Sequence, residues 1–323
     1  MPETAALLAD IGGTNARFAR CRAGQRPDRM IAYHCADYPD LASAIAAACT
    51  ELAITPGRAA FAVAGPVGGD RVSLTNHHWE FSIAELRRRF GLAECLVVND
   101  FEAIANALPH LPESSLEQIG GGAPAPSGTK VVLGPGTGIG VAGLVLTGDG
   151  WRAVGGEGGH VSVAVEDDFE SDLLAFLRRQ LGHVSYESLV SGPGLVRLAH
   201  AIADMTDIPF ADWSGEQVST PADVTRLATA EPGGPAGQAV AVFARLLGGF
   251  AGDLALILGA LGGVYVAGGV VSHLGGQFDR AGFRQRFEAK GRFADYLAAI
   301  PAYLITEENP GLLGLSTMLS PGD

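Results

Sequence analysis

Lysine is nearly absent from this sequence: two of 323 residues, Lys130 and Lys290. Neither follows a glycine, so the lysine-bearing phosphate loop GxxxxGK[ST] is excluded. No CxxC occurs among the four widely spaced cysteines, Cys21, Cys35, Cys49 and Cys95. A disulfide framework or a cysteine-rich zinc site is therefore not expected. GxSxG and HExxH are also missing, which removes support for the hydrolases that carry them. The run MPETAALLADIGG has acids but no basic n-region, so a secretory leader is not expected. Positive charge is scarce throughout: 22 basic residues stand against 35 acidic ones, a net charge of -13. A nucleic-acid binder needs a net basic surface to replace phosphate counterions, so nucleic acid is not an expected partner. An anionic small ligand remains open, because backbone N–H groups hold phosphate without lysine.

Apolar residues and glycine are what the chain has in quantity, at 47% hydrophobic and 45 Gly. The length suits two domains of about 150 residues each. Residues 254–278 contain no Asp, Glu, Lys or Arg, a stretch long enough to span a bilayer. Glycines interrupt it and Val264-Tyr265-Val266 is strand-like, so a buried helix followed by a buried strand is the expectation. No membrane is expected, and the cysteine usage suits a reducing cytoplasm.

The first third alternates strands and helices. Residues 5–11 read as a strand, Gly12-Gly13 as a tight turn and 16–21 as the return strand, with a third strand near 31–35. Helical spacing covers 41–52, and 59–64 is a strand. Residues 83–90 form a short helix stopped by Gly91, with Arg87-Arg88-Arg89 complementing its dipole. A strand at 95–98 runs into a helix at 101–108. Residues 112–128 (PESSLEQIGGGAPAPSG) are the expected linker. Strands follow at 130–133, 141–146 and 151–154. From about Asp168 the chain turns helical, and Asp167, Asp168, Glu170 and Asp172 complement a helix start. Apolar spacing of three and four marks a long helix over 243–261, weakened by Gly248, Gly249 and Gly252. A strand at 302–305 and a helix after Pro310 close the chain. No repeat at a fixed period is found.

Four runs carry candidate chemistry. In Asp10-Ile11-Gly12-Gly13-Thr14-Asn15 a strand ends in an acid and two glycines make the turn. Phosphate oxygens can approach such a turn closely, and Asp10 suits Mg²⁺ held through water. An ordinary capped hairpin fits as well. Gly134-Pro135-Gly136-Thr137-Gly138-Ile139-Gly140 is a second glycine hairpin about 120 residues on. Its overlap with GxGxxG (Gly138, Gly140, Gly143) lacks the helix that a dinucleotide fingerprint needs, since Leu144-Val145-Leu146 is strand-like. Asn99-Asp100 lies at a strand-to-helix junction. There Asn99 and Glu102 fit a capping box, and Asp100 fits either a dipole partner or a general base. In Gly155-Gly156-Glu157-Gly158-Gly159-His160, Glu157 and His160 suit vicinal hydroxyls, or else a turn acid and a core histidine. Glu187 has no signal of its own, and His77-His78 beside Trp79 is unassigned.

Taken in order, DIGGTNAR, TNHHW, NDFEA, GPGTGIG, GEGGH, YESLVSGPGL, VYVAGGVV and ITEENPGLLG resemble the bacterial glucokinase family over nearly the whole chain. The resemblance implies an α/β two-domain actin-like ATPase (ribonuclease H-like) sugar-kinase fold with an interdomain cleft. It implies a small α/β domain over 1–111 plus 301–323 and a large α+β domain over 112–300. It further implies transfer of the γ-phosphate of ATP to the 6-hydroxyl of D-glucose, with Mg²⁺, in a cytoplasmic homodimer. By resemblance Ala9, Asp10, Ile11, Gly12, Gly13 and Thr14 form the first phosphate loop. Gly136, Thr137 and Gly138 belong to the second, and Gly268 and Gly269 border the adenosine. Asn99, Asp100, Glu157, His160 and Glu187 contact the sugar, with Asp100 as base. The related repressor and kinase family typically has a cysteine-rich zinc motif after its histidine, and this chain has no cysteine beyond Cys95. Its repressor members also need a DNA-binding domain ahead of the phosphate motif, and none is expected here.

Overall fold

The computed structural model describes residues 5–22, 25–74, 78–208, 210 and 218–319. Thr75, Asn76 and His77 of the TNHHW run lie outside the described residues. The chain divides into two compact units. One comprises Met1–Glu113, Asp149–Gly155 and Glu307–Asp323; the other comprises Ser114–Gly148 and Gly156–Thr306.

The first unit contains β1 (Ala6–Ile11), β2 (Asn15–Cys21), β3 (Asp28–His34), α1 (Leu41–Glu51), β4 (Arg58–Val63), β5 (Arg71–Ser73), β6 (Glu80–Ser82), α2 (Ile83–Arg89), β7 (Glu94–Asn99) and α3 (Asp100–Ala107). Its main sheet has the order β3-β2-β1-β4-β7. β1 is antiparallel to β2 and parallel to β4, which is parallel to β7. β1 and β4 are near-continuous apolar runs because both faces of the sheet are covered. Leu7, Ile11, Phe61 and Val63 pack with Ile45 and Ala48 of α1 on one side. Leu8, Ala60 and Ala62 pack with Ala103 and with Leu312 and Leu315 of the C-terminal helix, Pro310–Met318, on the other. Burying each such leucine stabilises the fold by about 1.5–3 kcal/mol. The second face is built of small residues so that helices come close: a Cβ on Gly314 would overlap the Ala103 carbonyl oxygen. α2 ends as expected, with Gly91 at φ 63° and Arg87 donating to the carbonyls of Leu92 and Ala93.

The second unit contains β8 (Leu116–Ile119), β9 (Lys130–Pro135) and β10 (Ile139–Thr147); β11 (Gly150–Gly156) follows in the chain. Then come α4 (Asp168–Leu181), α5 (Tyr186–Leu189), α6 (Gly192–Thr206), α7 (Pro221–Ala230), α8 (Pro235–Leu258), β12 (Val264–Val266), α9 (Gly269–Leu274), α10 (Arg280–Glu288), α11 (Ala294–Ala298) and β13 (Ala302–Ile305). Its strands run in the order β10-β9-β12-β13-β8. β9 is antiparallel to β10 and parallel to β12, which is parallel to β13.

Several sequence expectations change. Asp149–Gly155, expected in the large domain over 112–300, belongs to the first unit. Residues 301–306 do not join the small unit, because β13 is hydrogen-bonded between β12 and β8, and the division falls after Thr306. The expected linker over 112–128 contains β8, which pairs with β13. Its Gly, Pro and Ser content marks the turn after β8, where Gly120 and Gly122 have positive φ.

The long helix starts earlier than its spacing suggested, at Pro235, and ends on Gly259 in the left-handed region. The glycines that weakened its pattern are the contact with α10. A Cβ on Gly248 would overlap the Phe283 carbonyl oxygen, and one on Gly252 would sit 2.5 Å from that of Phe287. α8 is long and apolar enough to cross a membrane, yet 72% of its most apolar window is buried in protein. The acids at the start of α4 do more than complement its dipole. Glu170 has a side chain 1% exposed and accepts from Arg286 Nη2 at 2.6 Å and Arg245 Nε at 3.1 Å. A carboxylate so buried needs such partners, because desolvating it alone costs several kcal/mol.

Candidate active site

β1 and β2 are joined by Gly12, Gly13 and Thr14, and the Gly12 N–H donates to the Asn15 carbonyl at 2.9 Å. Cys35 fastens this turn twice. Its N–H donates to the Thr14 carbonyl at 2.9 Å, and its Sγ–H donates to the Gly12 carbonyl at 3.4 Å. Burial pushes the thiol's pKa up, which keeps the proton this bond requires. Asp10, on β1 just before the turn, is 3.6 Å from Arg17 and 30% exposed. Burial raises its carboxyl above the ordinary range, and the Arg17 charge opposes the shift. Gly311 of the C-terminal helix packs beside it, which gives the ENPGLLG run its local role. Among the described residues no three His, Cys, Asp or Glu side chains group to hold a metal by themselves. A single half-open carboxylate beside a glycine turn fits Mg²⁺, which retains waters and takes its other ligands from phosphates.

Asn99 and Asp100 sit where β7 meets α3. Asn99 is the N-cap: its Oδ1 accepts the Phe101 N–H at 2.9 Å, while its Nδ2 donates to the Gly65 carbonyl at 3.2 Å. The amide is thereby held in one orientation. Asp100 opens the helix, and its Oδ1 accepts the same Phe101 N–H at 3.0 Å. The reciprocal capping-box bond from Glu102 does not form. Glu102 instead accepts from the Gly155 backbone, and burial raises its carboxyl's pKa.

In the second unit β9 and β10 make the other glycine hairpin, with Pro135 opposite Ile139 and Gly134 opposite Gly140. The Gly136 N–H donates to the Gly138 carbonyl and the Gly192 N–H to the Gly136 carbonyl, both at 2.8 Å. A strand follows this turn, which removes the dinucleotide fingerprint on structural grounds. Gly268, at φ 98°, passes so close to the Pro135 carbonyl that a Cβ would overlap it. Beside the hairpin lies a cavity of about 880 Å³ lined by Gly136, Thr137, Gly192, Pro193, Pro221, Thr225, Arg226, Gly269, Val270 and His273, among others. That size suits a nucleotide-sized ligand. The walls from α6 and α7 escaped sequence reasoning. Ser191-Gly192-Pro193 and Thr220-Pro221 are helix-start signals only, and nothing in them points to a cavity.

Glu157, His160 and Glu187 come together in this unit. His160 Nε2 is 4.0 Å from Glu157 Oε2 and 3.9 Å from Glu187 Oε1. Glu157 and His160 are well exposed and Glu187 about one-third exposed. The glycines between them serve packing: Gly159 lies on Ile139 and Gly158 on Val141. Glu187 is set in place by its neighbour Tyr186. That ring stacks on Phe250 at 4.1 Å, and its N–H donates to the Val161 carbonyl at 3.1 Å. Its hydroxyl accepts the Ala164 N–H at 3.3 Å and donates to Asp253 at 3.4 Å, and burial pushes its pKa up to about 12. A capping box between Ser185 and Ser188 completes the one-turn helix α5. In the remaining run, Trp79 is buried and its Nε1 donates to the Tyr38 carbonyl at 3.2 Å, a core role.

The model of the family described as Glucokinase matches residues 7–321. A glucokinase of Aromatoleum aromaticum is 46% identical over 316 residues, covering 97% of this chain and 94% of that one. A bifunctional protein of Paraburkholderia xenovorans is 46% identical over 315 residues, covering 97% of this chain; the chain spans about half, 48%, of that relative's length. Among solved structures, a glucokinase from an Antarctic psychrotroph superposes with a TM-score of 0.86 at 34% identity, covering 98% of this chain and 99% of that one. The mixed α/β architecture is thus that of the actin-like ATPase sugar kinases. With a family match across nearly its whole length, the chain belongs to the glucokinase family of ATP-dependent sugar kinases.

Proposed function

We propose that the chain transfers the γ-phosphate of ATP to the 6-hydroxyl of D-glucose, with Asp100 as the base. The observation that carries this reading is the meeting of Glu157, His160 and Glu187 at 3.9–4.0 Å beside a glycine hairpin and a nucleotide-sized cavity. Two carboxylates and an imidazole offer acceptors and a donor to vicinal hydroxyls, and a sugar without a matching hydroxyl leaves them unpaired. By the family resemblance Asn99, whose amide is held in one orientation, is a further sugar ligand. Asp100 takes the proton from O6 as that oxygen bonds to the γ-phosphorus. The bond to the bridging oxygen breaks and ADP leaves with the electron pair. The Gly12–Thr14 and Gly136–Gly138 turns hold phosphate oxygens by backbone N–H groups, and Gly268 and Gly269 border the adenosine. Ala9 and Ile11 flank Asp10, which would hold Mg²⁺ through water. The ion supplies charge neutralisation on the phosphates when bound. Most of the catalysis is then positioning and charge stabilisation.

The proposal extends to a cytoplasmic homodimer acting at the entry to glycolysis, on the strength of the family resemblance. It is tested by ADP release with ATP, Mg²⁺ and glucose, against sugar-free, galactose and N-acetylglucosamine controls. Glucose-dependent release supports it; release with a control sugar alone corrects the substrate; release with none removes the activity.

A further inference from the structure

We infer that Glu187 couples the sugar site to the second phosphate hairpin, and that Gly138 is glycine to let it do so. The inference rests on the proposed role of Glu187 as a sugar ligand, and everything it uses lies within the second unit. The two oxygens of the carboxylate serve different partners. Oε1 stands 3.9 Å from His160 Nε2, on the sugar side. Oε2 accepts the Ile139 N–H at 3.2 Å, the first amide of β10 after the turn. A Cβ on Gly138 would overlap Oε2, whereas a Cβ on Gly136 would meet nothing within 4 Å. Gly138 has no positive φ, so its backbone does not demand glycine. The demand comes from the carboxylate that lies against it.

One side chain therefore braces the phosphate hairpin with one oxygen and faces the sugar with the other. A sugar hydroxyl donating to Oε1 immobilises the carboxylate and firms the brace on Ile139. Nucleotide then binds a hairpin already ordered. By linkage the effect is reciprocal, and couplings of this kind are about 5–150-fold. A glycine of the nucleotide loop is in this way also a positioning residue for the sugar.

The test is calorimetric titration of glucose, without nucleotide, into the full-length chain and its Gly136→Ala, Gly138→Ala, Glu187→Ala and Gly138→Ala/Glu187→Ala variants. Titration of a non-hydrolysable ATP analogue with Mg²⁺, with and without glucose, accompanies it. Gly138→Ala is expected to weaken glucose binding about tenfold, within the range above, while Gly136→Ala leaves it unchanged. With Glu187 already removed, Gly138→Ala should add nothing. The wild-type chain should bind the analogue more tightly when glucose is present. Normal glucose affinity in Gly138→Ala, alongside weakened affinity in Glu187→Ala, overturns the coupling and leaves Glu187 as a sugar ligand. Normal affinity in Glu187→Ala overturns the sugar role itself. Should Gly138→Ala fail to fold, the analogue titration of Glu187→Ala without sugar decides. Weaker binding than wild type supports the brace, and unchanged binding overturns it.

Discussion

The two glycine hairpins have the same surroundings and different fastenings. In each unit an antiparallel hairpin (β1-β2 or β9-β10) is followed by two parallel strands (β4-β7 or β12-β13). The first turn is tied by a neutral buried thiol and a backbone amide, both from Cys35. The second is tied by the Gly192 amide and by the carboxylate of Glu187, a residue of the proposed sugar set. On the proposed reading the first fastening has nothing to respond to, while the second changes its environment when a sugar binds. Burial follows the same division. Among the described residues the buried charged side chains, Lys130, Glu170, Arg284 and Arg286, all belong to the second unit. The first unit relies on an apolar sheet with small residues on one face.

The largest expected effect lies in the first unit. Asp100→Asn keeps the Asn99 cap and removes the proposed base, so kcat should fall about 10²–10⁴-fold, with glucose affinity held near wild type in a direct titration. Lost affinity with near-normal turnover would reassign the residue. Next, Glu170→Ala removes the buried carboxylate that Arg286 and Arg245 share, leaving Arg286 with Glu166 and Asp167 and Arg245 with Asp167, and should cost about 1.5–3 kcal/mol, the range for hydrogen bonds to charged groups, read as a fall in thermal midpoint. The exposed counterpart in the first unit, Asp28→Asn, should move the midpoint far less, because water already screens its pairing with Arg20 and Arg22. A small response to Glu170→Ala would remove the contrast in burial. Smallest, Cys35→Ala should weaken the ATP analogue a few-fold, the loss of one hydrogen bond of about 1 kcal/mol, and leave glucose affinity alone. Cys35→Ser keeps a donor and should bind closer to wild type. An equal loss in glucose affinity would show that the first turn, too, answers to the sugar.

Much of the fold was legible because the signals are local. The strands β1 to β4 and β7, the stop at Gly91 and the Asn99 cap need only neighbours along the chain. The duplicated hairpin-plus-two-strands pattern was not legible, because the units share topology and differ in spacing. β8 was hidden by its Gly- and Pro-rich surroundings, since its pairing with β13 comes from far along the sequence. Gly248 and Gly252 read as helix weakeners because the sequence does not show α10 pressing on them. Of the proposed site residues, Asn99, Asp100, Glu157 and His160 stood in unusual runs of their own. Glu187 was named only by resemblance, since its place depends on Tyr186 stacking on Phe250, 64 positions away. Glu102 was misread as a capping partner because its bond to Gly155 is likewise non-local.

In the proposed reaction phosphate passes from ATP to O6 of glucose. Phosphorus NMR of the mixture of chain, ATP, Mg²⁺ and D-glucose observes that transfer directly. One phosphomonoester signal, coupled to the C6 protons of glucose, is expected to grow as the ATP signals give way to those of ADP. A phosphomonoester at another carbon, or inorganic phosphate alone, would contradict it.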